Sequence, residues 1–186
     1  MTLKRLTLCL IIICGFLGYY LAEKHLQPDI QVQPDTEKPT LIGHDITNNS
    51  FTLKGLLNYQ IKAQKLEYFE AASNTLFQQP EMTLFRLGTD KEWVLTSDRA
   101  TLTKEQILIL NGNVKIRNLL PDSPLKLMTT DYLVVDLISK DFSSDQPIKF
   151  TGVNFSSSGN AIQGNFDRNE AELKDQTRGI YENIKK

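Results

Sequence analysis

The sequence predicts an all-β domain, an open and twisted sandwich or β-jelly roll of antiparallel hairpin repeats, behind one N-terminal transmembrane helix. Three observations predict it. From Thr40 onward, short runs of β-branched and aromatic residues recur between turn signals, with little helical periodicity. Within that region residues 63–82, 97–116 and 130–149 superimpose, each with an apolar centre (Leu66, Ala100, Leu133) and a second strand reached near Pro80, Val114 or Pro147. Ahead of it, an uncharged apolar run over residues 6–21 follows Lys4 and Arg5.

The apolar run, at 1.5 Å per residue, reaches roughly 24 Å, a little short of the ~30 Å hydrocarbon core. Lys4 and Arg5 can snorkel at one end and Tyr19-Tyr20 can sit among headgroups at the other, which extends the span. The positive flank stays in the cytoplasm, and the chain from Glu23 onward lies across the membrane. A cleaved signal peptide is the alternative reading, but Tyr20 or Phe16 stands where cleavage needs a small residue. Cys9 and Cys14 follow Leu8 and Ile13, which does not suit a lipoprotein start, and they read as small apolar residues of the helix. Residues 23–39 carry Pro28, Pro34 and Pro39 among polar side chains and read as an extended spacer. The expected organisation is therefore an anchor over 1–22, a linker over 23–39 and a folded domain over 40–186.

Inside the folded domain Tyr59, Ile61 and Ala63 share one face of a strand, and the apolar phase then slips to Leu66 and Tyr68, predicting a bulge near Gln64 and Lys65. Pro80 before Met82 and Leu84 suits a strand start or an edge. In residues 107–116, Leu108, Leu110, Val114 and Ile116 have one parity and Ile107 and Ile109 the other. Leu133, Val135 and Leu137 alternate with Tyr132, Val134 and Ile138 in the same way, so both strands are expected to meet little water on either face. Asn111-Gly112-Asn113 is either a tight hairpin turn or a glycine bulge within one long bent strand. The repeat interval is roughly 33 to 34 residues, with a weaker fourth copy near Asn169, and stacked hairpins of that kind leave the first and last strands as free edges.

The formal charge of −1 leaves no basic excess for nucleic acid or an anionic surface. The only histidines, His25 and His44, fall in or beside the linker, so neither a metal site nor a catalytic triad is expected. Ser156-Ser157-Ser158-Gly159 has no base to pair with and reads as a loop. No phosphate-binding glycine loop is present. Asp98, Asp131 and Asp136 flank strands and read as solvated or turn-forming. An enzyme is not expected, and neither is a cofactor.

Tyr68, Phe77-Gln78-Gln79-Pro80, Leu119-Leu120-Pro121-Asp122-Ser123, Thr129-Thr130-Asp131, Asn154-Phe155-Ser156-Ser157-Ser158-Gly159 and Asn169-Glu170-Ala171-Glu172-Leu173 occur in an order and spacing that resembles the lipopolysaccharide transport family LptC. The stretch 43–50 matches least. The resemblance implies a single-pass inner-membrane protein with a periplasmic β-jelly roll, which sits on an ABC transporter of LptB, LptF and LptG. It implies that lipopolysaccharide is received there and passed to the soluble β-jelly roll LptA. It also implies that Phe77 faces lipid, that Ala171, Leu173 and Tyr181 belong to the C-terminal edge that meets LptA, and that Gly55 and Gly152 stand beside strand turns.

Such a carrier answers a physical need. Moving a twelve-carbon acyl chain bare into water forfeits roughly 10 kcal/mol, at ~0.8 kcal/mol per methylene. A β-jelly roll offers a trough lined by alternate side chains of each strand. Leu84, Leu108, Leu110, Val114, Ile116, Leu133, Val135, Phe150 and Phe166 are the candidates to line it or to form ordinary core. A membrane-anchored scaffold without ligand is the competing function.

Overall fold

The computed structural model describes residues 38–181, and their regular structure is all β-strand. The apolar run and nearly all of the spacer lie outside the described residues. The strands are β1 (Leu41–Phe51), β2 (Leu57–Phe69), β3 (Asn74–Gln78), β4 (Glu81–Arg86), β5 (Asp90–Thr96), β6 (Arg99–Leu102) and β7 (Ile107–Asn118), followed by β8 (Leu125–Asp136), β9 (Asp141–Ser144), β10 (Ile148–Gly152), β11 (Phe155–Gly159), β12 (Ala161–Asn165), β13 (Glu170–Lys174) and β14 (Arg178–Tyr181). All are joined in one fourteen-stranded sheet, and every pairing is antiparallel.

The sheet folds on itself because its long strands take different partners along their length. Past one stretch of β2 lies β4, against residues 59–62, and past the next lies β3, against residues 65–69. In the same way β7 meets β6 through residues 108–111 and β5 through residues 115–118, while β8 meets β9 with one end and β10 with the other. Two wings result. One holds β3, β6, β9, β12 and β13, the other β4, β5, β10, β11 and β14, and the long strands belong to both.

The wings join along a seam where the chain changes partner: at Gln79-Pro80, at Ser97-Asp98 and, within β7, at Gly112-Asn113. The seam is stitched by backbone bonds from Gln79 N to the Asp98 carbonyl and from Asp98 N to the Gly112 carbonyl, both 2.9 Å. Asn113 Nδ2 donates to Asp98 Oδ2 at 2.7 Å. Each repeat crosses the seam twice, which is the physical content of the sequence periodicity.

Asn111-Gly112-Asn113 is thus the glycine bulge and not the hairpin turn: β7 runs through it, with a register shift against β8 between Asn111 and Val114. Gly112 has φ 76° and Asn113 φ 49°, a left-handed pair that re-aims the strand across the seam. The bulge expected near Gln64 and Lys65 is absent, since β2 keeps one register against β1 there; the apolar phase slips because β2 changes partner from β4 to β3 at this point, and the positive φ of 50° belongs to Asp45 on β1. Pro80 does precede a strand, β4. Ser156-Ser157-Ser158, read from sequence as a loop, lies in β11 instead, because its backbone pairs with β10 and β14.

The two-faced burial expected of β7 and β8 holds for one face only. Leu108, Leu110, Leu133, Val135 and Leu137 are buried, whereas Ile107, Ile109 and Val134 are half-buried and Ile138 is exposed. A folded sheet has a single dry interior, and its outer face has nothing to pack against.

Candidate functional site

The interior is written as cross-strand rows. In the β3 wing Leu66, Phe77, Ala100, Leu110 and Leu133 are successive Cα partners, so the three apolar centres of the sequence repeat fall in one row with Phe77 between them. In the β4 wing Ile61, Met82, Leu95, Ile116, Met128 and Phe150 form the matching row. Phe77 is 1% exposed and joins the same apolar cluster as Leu84, Val114, Phe150 and Phe166. All ten residues expected in the trough therefore point inward. Sequence reasoning did not single out Trp93, Phe142 or Ile162 of the same cluster. Trp93 sits in the unbroken run Trp93-Val94-Leu95, where alternation gives no parity to read.

Opposite the seam the wings meet again at a mouth. The β4 wing ends in the row Tyr59, Leu84, Trp93 and Asn118, each paired to the next across strands. Turns of the β3 wing close onto it. Phe166, in the turn after β12, lies 5.4 Å between ring centroids from Trp93 and 4.4 Å from Phe142. Tyr59 Oη donates to Gln106 Oε1 at 3.3 Å, and Asn169 Nδ2 donates to Glu92 Oε1 at 3.0 Å. Lys140 Nζ stands 5.1 Å over the Tyr59 ring.

The closed mouth leaves polar atoms unsatisfied. Lys140, Trp93 and Asn118 are 4%, 5% and 7% exposed, and Lys140 Nζ, Trp93 Nε1 and Asn118 Nδ2 are covered without any hydrogen-bond acceptor. Each such donor costs about 1–3 kcal/mol relative to a satisfied one. Burial holds the Lys140 ammonium below its usual pKa, against the pull of Asp167 and Asp136. Asp136 is itself held low by the N–H groups of Ser139 and Ile138, which makes it a turn-former. Asp98 is likewise structural, tied to Asn113 at the seam.

Trp93 and Asn118 line a cavity of about 380 Å³ between the wings, with Met128 and Phe142 on its apolar side and Asn169 and Ala171 at its outer side. A larger cleft of about 620 Å³ follows the seam, but its lining is mostly polar. Ala171, on β13, ends the cross-strand row Leu108, Val135, Phe142, Gly164 and Ala171. Gly164 has no side chain because the Phe142 ring and the Glu170 carbonyl occupy that space. Leu173 packs its half-buried side chain onto the core from the same strand, and Tyr181 ends β14, opposite Phe155.

Both ends of the sheet are edges among the described residues. β1 pairs only with β2, β13 only with β12 and β14 only with β11. Leu41, Ile42 and Phe51 of β1 and Ile180 of β14 are exposed. Gly55 stands in the β1–β2 turn with φ 76°. Gly152 ends β10, and any Cβ there would collide with the Phe155 ring. His44 is exposed on β1, and among the described residues no cluster of potential metal ligands occurs.

A mostly apolar interior between unpaired edge strands is what the comparisons with known proteins bear on. The family model for LptC-related lipopolysaccharide assembly matches residues 7–182. The chain belongs to that family. The lipopolysaccharide export system protein LptC of Escherichia coli K12 is 32% identical to it over 166 residues, 89% of this chain and 86% of that one. The LptC of Haemophilus influenzae is 30% identical over 189 residues, 92% of this chain and 90% of its own. The fold of this LptC-family chain is also similar to the crystal structure of LptH, the LptA-homologous periplasmic component of the lipopolysaccharide transport device of Pseudomonas aeruginosa. That match has a TM-score of 0.52 at 8% identity and covers 67% of this chain and 95% of LptH, so it concerns the β-jelly roll alone.

Proposed function

We propose that this LptC-family chain is a lipid conduit, anchored in the inner membrane by residues 1–22, spaced from it by residues 23–39, and carrying lipopolysaccharide through the periplasmic jelly roll of residues 40–186. It accepts the lipid from an ABC transporter of the LptB, LptF and LptG kind beside the β1 edge. It passes the lipid to a soluble β-jelly roll like LptA at the β13 and β14 edge. The single observation that carries this reading is that apolar rows run strand by strand from β2 to Phe150 of β10 in one wing and on to Ala171 of β13 in the other, in a sheet whose edge strands have N–H and C=O groups that can pair with another sheet.

Acyl chains lying along those rows stay out of water, and edge-to-edge pairing extends the rows into the next protein without a gap. Photo-crosslinking from Phe77 in membranes tests the reading: lipopolysaccharide is expected in the adduct. A ligand-free scaffold would share both edges yet trap no lipid from this position.

A further inference from the structure

We infer that the mouth carries a set of hydrogen-bond donors, Trp93 Nε1 and Asn118 Nδ2 on one lip and Lys140 Nζ from the turn opposite, that takes the acceptor oxygens of an amphiphile whose chains lie in the interior. The inference rests on the lipid-conduit reading and adds to it where the polar part of the ligand is held and what opens the groove.

Four features of the mouth support it. The donors face one another across the mouth: Trp93 and Asn118 share a cross-strand row with Tyr59 on the β4 lip, and Lys140 reaches the Tyr59 ring from the opposing β8–β9 turn. All three are more than nine-tenths buried and without acceptors. Two of them line the cavity that Met128 and Phe142 make apolar on its inner side. What covers them is turns, not strands: the contacts across the mouth are the Tyr59 bond to Gln106, the Glu92 bond from Asn169 and the stacking of Phe166 on Trp93.

A buried donor without an acceptor disfavours the state that buries it, so the closed mouth is opposed by the very groups that line it. Parting the turns from the lip gives each donor a partner, water first and then ligand oxygen. The two oxygen sources on such a lipid are phosphate groups and acyl carbonyls, and both accept N–H. Asn118 keeps its own geometry in either state, because its Oδ1 already accepts the Leu120 N–H at 2.9 Å.

The opposed signs of stability and binding make the test. The full-length chain in detergent carries Trp93→Phe, which keeps the stack on Phe166, and Lys140→Met, which keeps length, singly and together. Binding is measured with purified lipopolysaccharide and with the same lipid after enzymatic removal of its phosphates. The double variant is expected to melt no lower than wild type, because unpaired donors have been removed, and to bind lipopolysaccharide roughly tenfold or more weakly. If the deficit disappears with dephosphorylated lipid, the donors take phosphate; if it persists, they take acyl carbonyls. Unchanged affinity in a variant that melts like wild type overturns the inference. Should the double variant fail to fold, the Lys140→Met single variant decides by the same comparison. Wild type that binds neither lipid instead sinks the conduit reading itself.

Discussion

Phe77 is enclosed by Leu66 on one side and Ala100 on the other, so a replacement there tests packing before it tests lipid contact. Phe77→Asp would bury an unpaired charge among apolar neighbours at a cost of several kcal/mol, and Phe77→Ala would cost about 3–5 kcal/mol through the cavity left behind. Both variants are expected to melt well below wild type by circular dichroism. An aspartate variant with an unshifted melt would mean that the ring lies outside the interior. Lys140 predicts a pH dependence opposite in sign to that of a lysine paired on the surface. Its folded-state pKa lies below 10.5, chiefly through burial, while Asp167 and Asp136 pull the other way. Between that lowered value and about 10.5 the unfolded chain holds a proton that the folded chain has released, so stability rises with pH across the window. Below the window both states are protonated and the burial penalty is complete. Lys140→Met should therefore be more stable than wild type in urea at neutral pH, with the difference shrinking as pH approaches 10.5. A variant that is less stable at neutral pH would show that the Tyr59 ring and the two aspartates outweigh burial.

Among the elements, β7 depends on its bulge and the C-terminal strands on their edge. Gly112 combines φ 76° with a space in which a Cβ would lie 2.6 Å from Asp98 Oδ2, the oxygen that holds Asn113. Gly112→Ala is expected to cost about 1–3 kcal/mol and lower the thermal midpoint, because a strained backbone and a seam hydrogen bond are hit together. An unshifted midpoint would show that the bulge tolerates an L side chain there. The strands β13 and β14 bury little apart from Leu173, so their removal should leave the rest of the sheet standing. Deleting residues 170–186 is expected to abolish pull-down of the soluble jelly-roll partner while leaving transporter association intact, and Tyr181→Ala should weaken the partner contact less. Loss of the transporter with retention of the soluble partner would reverse the proposed polarity. Strand addition draws affinity from main-chain bonds, which a single side chain cannot abolish.

For the whole molecule the prediction concerns the anchor proposed over residues 1–22. A retained helix should keep the full-length protein with the inner membrane through carbonate extraction. A soluble main species beginning near Glu23 would instead establish cleavage. Anchoring raises the local concentration of the domain beside a membrane transporter, and its effect should be partly replaceable by overproduction.

The alternation in β7 and β8 was enough to tell that Leu108, Leu110, Val114, Ile116 and Val135 share a face, because a strand's side chains have period two whatever surrounds them. The repeat centres Leu66, Ala100 and Leu133 were legible for the same reason, since equal spacing along the chain becomes one row once the hairpins stack. The places of Phe77, Ala171 and Tyr181 came from family likeness and not from pattern. Local rules could not choose between a turn and a bulge at Gly112, because both want a left-handed glycine; the partner strand β8, running unbroken past it, made the choice. Nor could they find the mouth. Trp93 is covered by Phe166 from a turn distant in sequence and Lys140 is carried onto Tyr59 by another, and the mouth is held by contacts such as Tyr59 with Gln106, 47 residues apart, and Asn169 with Glu92, 77 apart. Hydrophobic periodicity is a property of one strand, whereas the burial of a polar group depends on what the rest of the chain lays on top of it, and that only the folded sheet decides.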